Sequence, residues 1–173
     1  MPSLLNNCPA DIVKVANKLK ASSMADVSVG FKNNTVKIPS LWFYIYDLDI
    51  PFARCYCPSM KSANNSPCGK ASLQFEHYYL DKDNYSDNEL INAVKQFIVR
   101  NIAKEDDIEF IQVSREKFAN VVFLLDMEKY RDIVLSYLVS KEIIPIGRFG
   151  RWEYLWSDQA YMSGRTAAEK EKD

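Results

Sequence analysis

Three arginines in this chain stand among aromatic side chains, and that combination can hold a flat, negatively charged ligand. Arg54 follows the cluster Trp42, Phe43, Tyr44 and Tyr46, while Arg148 and Arg151 interleave with Phe149, Trp152, Tyr154 and Trp156. A guanidinium grips a phosphate through two parallel hydrogen bonds, and an aromatic face covers a planar ring. Such a set suits a cleft that stacks a ring and neutralises a diphosphate. It equally suits a core or an interface between layers, and spacing alone leaves both readings open.

A second group lies near the C-terminus, where Gly147-Arg148-Phe149-Gly150-Arg151-Trp152-Glu153-Tyr154 follows the apolar run Ile143 to Ile146. The pattern predicts a strand, a two-glycine turn and then a helix capped by Asp158. The helix N-terminus would offer unpaired N–H groups to an anionic or electron-rich ligand, and Gly164, Ala167 and Ala168 would let another backbone approach. A helix packed tightly on its own sheet fits the same pattern.

His77 is the single histidine. One histidine removes Ser-His-Asp hydrolases and His-based zinc protease motifs. Cys55 and Cys57 fall on one face of a strand, and Cys68 with His77 would complete four zinc ligands, but structural fingers place their ligands two to four residues apart on tight turns. Ordinary buried or half-buried thiols are the expectation for Cys8, Cys55, Cys57 and Cys68, with no metal.

The elements that must position these residues read as follows. Pro9 and the apolar positions Ile12, Val15, Ala16 and Leu19 predict a helix over about 9–22. Strands are expected at Val27 to Phe31, Val36 to Ile38, Leu41 to Tyr46, Pro51 to Cys57, Ala71 to Tyr79, Ile108 to Val113, Ala119 to Leu125 and Ile143 to Ile146. Ser86 and Glu89, three apart ahead of Leu90, Ile91, Val94, Phe97 and Ile98, form a capping-box signature for a helix to about Ile102. Asp126 should cap another helix carrying Tyr130, Ile133, Val134, Tyr137 and Leu138. The result is an α+β fold with a mixed, largely antiparallel sheet and about four helices.

Composition bounds the function. The chain has 173 residues, of which 47% are hydrophobic and 26% charged, with only 5 Gly and 7 Pro, so it is globular and not low-complexity. It is long enough to bury roughly 70% of its unfolded surface and needs neither disulfides nor metal to fold. The 22 Lys and Arg against 23 Asp and Glu leave no strong field for nucleic acid. Its start lacks the pattern of a secretory signal, and no apolar run is long enough for a membrane span, so reduced thiols and a cytoplasmic location are expected.

The segment IIPIGRFGRWEYLWSDQAYMSGRTAAEK resembles the closing strand, glycine turn and final helix of flavin-dependent amine-oxidase-like proteins, a group that includes protoporphyrinogen oxidase and UDP-galactopyranose mutase. Asp49 to Arg54 is similar to the mutase stretch in which an arginine follows a Pro-aromatic-small run. Ser72 to Glu76 resembles the glutamate-bearing strand after it. The resemblance implies that residues 1–173 are a single domain or fragment, a substrate-binding part joined to a flavin-contacting segment at about 143–170. It further implies that Gly147, Arg148, Gly150 and Asp158 bind the FAD cofactor and that Arg54, Trp152 and Tyr154 bind substrate.

No G-x-G-x-x-G dinucleotide motif occurs in the sequence. The expectation is therefore a C-terminal part of a flavoenzyme, inactive alone and colourless, whose partner is an N-terminal FAD-binding domain. An oxidoreductase or a nucleotide-sugar mutase serving lipopolysaccharide or cell-surface polysaccharide synthesis fits. A free-standing binding module for a phosphorylated small molecule or a protein is the alternative.

Overall fold

The computed structural model describes residues 5, 7–80 and 85–170. It divides into two compact units, one formed by Ser23–Ala119 and the other by Met1–Ser22 with Asn120–Asp173.

The sheet unit follows from period-two alternation. Strands β1 (Ala21–Phe31), β2 (Trp42–Tyr44), β3 (Arg54–Tyr56), β4 (Ala71–Tyr79) and β5 (Ile108–Val121) form one antiparallel sheet in the order β2-β3-β4-β1-β5. The register aligns Phe43 with Cys55, Cys55 with Phe75 and Phe75 with Val27, a single apolar row across four strands. Ala25, Val29, Phe31, Ala71 and Leu73 extend the same buried face. Side chains alternate strictly along a strand, so the neighbouring positions must all emerge on the other face.

Helix α3 (Asp87–Asn101) covers the apolar face with Leu90, Val94, Phe97 and Ile98. The Ser86 hydroxyl accepts the Glu89 N–H, and the Glu89 carboxylate accepts the Ser86 N–H at 2.7 Å, so the expected capping box forms. Phe97 meets Phe75 edge-on at 5.5 Å and stacks beside Phe43 at 6.1 Å. Each of these aromatic pairs adds about 0.5–1.5 kcal/mol beyond its burial.

Several local expectations are corrected. Val36 and Ile38 pack against the core from a loop and pair with no strand. The polar loop after Cys57 holds helix α2 (Pro58–Lys61), begun by the proline at its first position. The two strands expected at 108–113 and 119–125 are one strand, β5, since a sheet-edge strand can carry a polar middle without breaking. The helix expected over 9–22 is shorter, α1 (Ala10–Ala16), and Ala21 already belongs to β1.

Besides the first residues of β1 and the last of β5, the second unit holds the helices α1, α4 (Met127–Ser140), α5 (Gly147–Arg151) and α6 (Ser157–Lys170). Six helices are described in all, two more than expected. Met127, Val134 and Leu138 are the buried positions of α4. Asp126 stands at its N-cap without a side-chain bond. Residues 143–146 join no strand, Ile143 N–H donating instead to the Leu138 carbonyl of α4 at 3.0 Å, and the expected glycine turn is the short helix α5.

Candidate functional site

The face of the sheet opposite α3 collects the polar side chains. Register places Tyr44, Arg54, Glu76 and Asp26 in one row across β2, β3, β4 and β1, and Trp42, Tyr56, Gln74 and Ser28 in the next. Arg54 Nε donates to Glu76 Oε2 at 2.6 Å, and its Nη2 donates to the Tyr78 hydroxyl at 3.2 Å. Tyr78 in turn donates to the same Glu76 oxygen. The guanidinium lies 5.0 Å from the centre of the Trp42 ring, which stacks on Tyr56 at 4.2 Å. Cation–π contact and a charge-assisted hydrogen bond thus act on one arginine from two sides.

Burial opposes the charge on Arg54, but the Glu76 hydrogen bond and charge, with Tyr78 and Tyr44 behind them, hold its pKa above the ordinary arginine value. Glu76 is buried at 8% exposure, whereas the Arg54 side chain keeps 35% of its surface in solvent. An anion approaching this face would therefore meet a guanidinium already paired with Glu76 and held by Tyr78 and Tyr44, with about a third of its side chain in solvent.

Asp26 continues the row. Its Oδ2 accepts Ser28 Oγ at 3.1 Å and Gln74 Nε2 at 3.3 Å. Burial raises the Asp26 pKa above the usual carboxylate range, and the charge of Glu76 opposite adds to the rise, against the Ser28 and Gln74 hydrogen bonds. Asp26, Ser28, Gln74 and Tyr78 were not among the sequence candidates. The signal was present at Asp26 and Ser28 of β1 and at Ser72, Gln74 and Glu76 of β4, polar positions that alternate with apolar ones.

The remaining sequence candidates lie in the helical unit. Arg148 donates from Nε and Nη2 to the Leu155 carbonyl at 2.9 and 2.7 Å and from Nη1 to Asn120 Oδ1 at 2.9 Å. Its guanidinium sits 4.6 Å from the Tyr154 ring centre. Arg148 thus braces the loop that follows α5 and underlies the half-exposed Tyr154. Trp152 ends α5 in the left-handed region at φ 53°, with its indole Nε1 buried and unpartnered among the described residues.

Gly147 also has a positive φ, 70°, and a Cβ built there would meet nothing within 4 Å. Its N–H donates to Ser163 Oγ at 2.8 Å. Gly150 lies in α5, half-buried. Asp158 does not cap the last helix: α6 begins at Ser157, and the Gln159 side chain accepts the Trp156 N–H at 2.8 Å. The close approach expected at Gly164 is only an ordinary contact, since an added Cβ would lie 3.9 Å from Ile146.

Cys55 and Cys57 are buried in the sheet unit, and burial, with Cys57 beside it, pushes the Cys55 thiol well above its ordinary pKa. Cys68 is exposed and Cys8 half-buried. His77 is buried, with Nδ1 2.6 Å from the Pro51 carbonyl and its ring stacked beside Tyr79. Among the described residues no group of three His, Cys, Asp or Glu is placed to hold a metal.

Among solved structures, reduced UDP-galactopyranose mutase superposes with a TM-score of 0.74 at 22% identity, over 82% of this chain and 31% of that one. A protein assigned as a protoporphyrinogen oxidase from Exiguobacterium sp. 255-15 superposes with a TM-score of 0.54 at 16% identity, over 72% of this chain and 29% of that one. The chain therefore has the fold of a portion of these proteins and spans about a third of their length. No family model matches the sequence. No curated protein matches it either. Among the described residues no helix is long and apolar enough to cross a membrane.

Proposed function

We propose that this chain is the substrate-binding portion of an FAD-dependent oxidoreductase or UDP-galactopyranose mutase-like enzyme, acting on a nucleotide-sugar in cell-surface polysaccharide synthesis. The observation that carries the reading is the fold shared over 82% of the chain with the mutase. In this reading an FAD-binding domain upstream of the segment is its partner, the isoalloxazine supplies the electron chemistry, and the chain orients substrate and supplies charge.

The residues present fit that task in part. Gly147, with open space where a Cβ would stand, permits a ring or diphosphate to approach the backbone, and Gly150 and Asp158 lie on the elements around it. Arg148 would act by fixing Tyr154, because three of its N–H groups are already spent on Leu155 and Asn120. Arg54 would meet the substrate diphosphate with its solvent-facing edge, and Trp152 and Tyr154 would pack on substrate.

The test is the native protein, captured from its source with an antibody against this chain. A product much larger than the 20.0 kDa of this sequence with flavin absorbance supports the reading. A colourless product of that smaller size overturns it and leaves a free-standing binding module.

A further inference from the structure

Strand β5 carries the longest main-chain edge of the sheet. It runs over 14 residues at one end of the strand order, and no described strand pairs with its outer side. The Asp107 carbonyl accepts the Lys32 N–H and the Lys117 carbonyl accepts the Ser23 hydroxyl, so both carbonyls face β1. Peptide groups alternate in direction along a strand, and Phe110, Gln112, Ser114 and Glu116 therefore turn their N–H and C=O groups outward. A second strand can take up all of them at once.

The side chains on this edge are arranged about Ser114. Phe110 and Phe118 stand four residues to either side of it, and each keeps more than half of its surface in solvent. The Phe110 ring does so although it rests over Gly30. An edge with that arrangement is complementary to its own copy. A two-fold axis through Ser114, normal to the sheet, sets Ser114 opposite Ser114, Gln112 opposite Glu116, and Phe110 opposite Phe118 of the second copy. On the other face Val113 meets Arg115 and Ile111 meets Lys117. No charge faces its like.

Other registers are worse. A slip of two residues one way sets Arg115 against Arg115, and a further slip sets Glu116 against Glu116 with Arg115 against Lys117, which like-charge repulsion disfavours. The opposite slip puts Phe110 against Glu116 and leaves Lys117 facing Glu109, which already holds Lys70 at 2.5 Å. Charge and aromatic positions together select one register.

We propose that β5 is a self-association edge, through which two copies of this chain pair antiparallel about Ser114 and join their five-stranded sheets. Each copy contributes a single strand, so the contact falls in the small, reversible class. The edge at the other end of the sheet is the three-residue strand β2, and assembly ends at two copies. The pairing needs the sheet unit alone and does not rest on the flavin reading.

The test is sedimentation velocity on the full chain from about 10 µM to 1 mM, which should show a monomer–dimer equilibrium with a Kd of about 50–500 µM. Gln112→Lys brings a lysine opposite Glu116 twice per dimer and should tighten it about fivefold, whereas Gln112→Glu brings like charges together and should loosen it by about the same factor. Gln112 is exposed, so both variants keep the fold. Ser114→Pro removes an outward N–H and should abolish the dimer. A monomer across the whole range, a shift of the same sign for both Gln112 variants, a dimer that persists in folded Ser114→Pro, or a series of species beyond the dimer would overturn the proposal.

Discussion

Arg54 and Glu76 are direct cross-strand partners, and Arg54 Nε lies 2.6 Å from a carboxylate oxygen that is almost out of solvent. The pair is local in space but 22 residues apart in sequence. It ties the three-residue strand β3 to the nine-residue strand β4 on the face that α3 leaves uncovered.

Removing only the arginine should therefore cost more than removing both charges. Arg54→Ala leaves Glu76 buried with the Tyr78 hydroxyl as its remaining partner, and should destabilise the chain by about 2–3 kcal/mol, less than a fully buried pair because the guanidinium is partly solvated. The double variant Arg54→Met with Glu76→Gln should fall within about 1 kcal/mol of the parent. Urea unfolding of the three proteins decides it; equal losses in both variants would mean the pair has no such coupling.

Asp26 should make stability depend on pH. Its folded-state pKa is raised, so the folded chain holds that proton to higher pH than the unfolded one. The associated stability is present below the unfolded value of about 3.9 and is lost as pH rises through the folded value. Asp26→Asn keeps an oxygen to accept from Ser28 and Gln74 and removes the like charge facing Glu76. The variant should be more stable than the parent at pH 7, and the gap should close below about pH 4. Urea midpoints across that interval are the measurement, and a gap independent of pH would contradict the assignment.

Arg148 should matter to the loop after α5 through geometry and not charge alone. Arg148→Lys retains the positive charge but cannot donate twice to Leu155 while reaching Asn120. Amide exchange at Trp152 to Trp156 should accelerate about tenfold, as expected for the loss of about 1–1.5 kcal/mol of local bonding. Unchanged exchange there would show that the loop is held by its aromatic contacts.

What was legible in the sequence was the buried half of each element. Val27, Val29 and Phe31 against Leu73 and Phe75, and the Ser86–Glu89 cap of α3, carry their periods and end signals locally. The run Ser114 to Lys117 hid the continuity of β5 because a strand with both faces wet at a sheet edge has no alternation to read. Val36 and Ile38 alternated like a strand yet found no neighbour, since pairing is a property of the whole sheet. Arg54 and Glu76 stood out through the resemblance, whereas Asp26 and Gln74 acquire their roles only from register, which a single chain read in order does not display.

Strand β5 has a bearing on how the chain behaves at high concentration. It is the longest strand and lies at the end of the sheet order, so one side of its ladder has no described strand beside it. A long bare edge is a template for fibrous self-association, and natural sheets guard such edges with charge, lysine above all. Here Arg115, Glu116 and Lys117 occupy the middle of the strand, between the exposed Phe110 and Phe118. These three act as gatekeepers against misassembly: two apolar stretches short enough to be harmless separately are kept from merging into one adhesive ribbon.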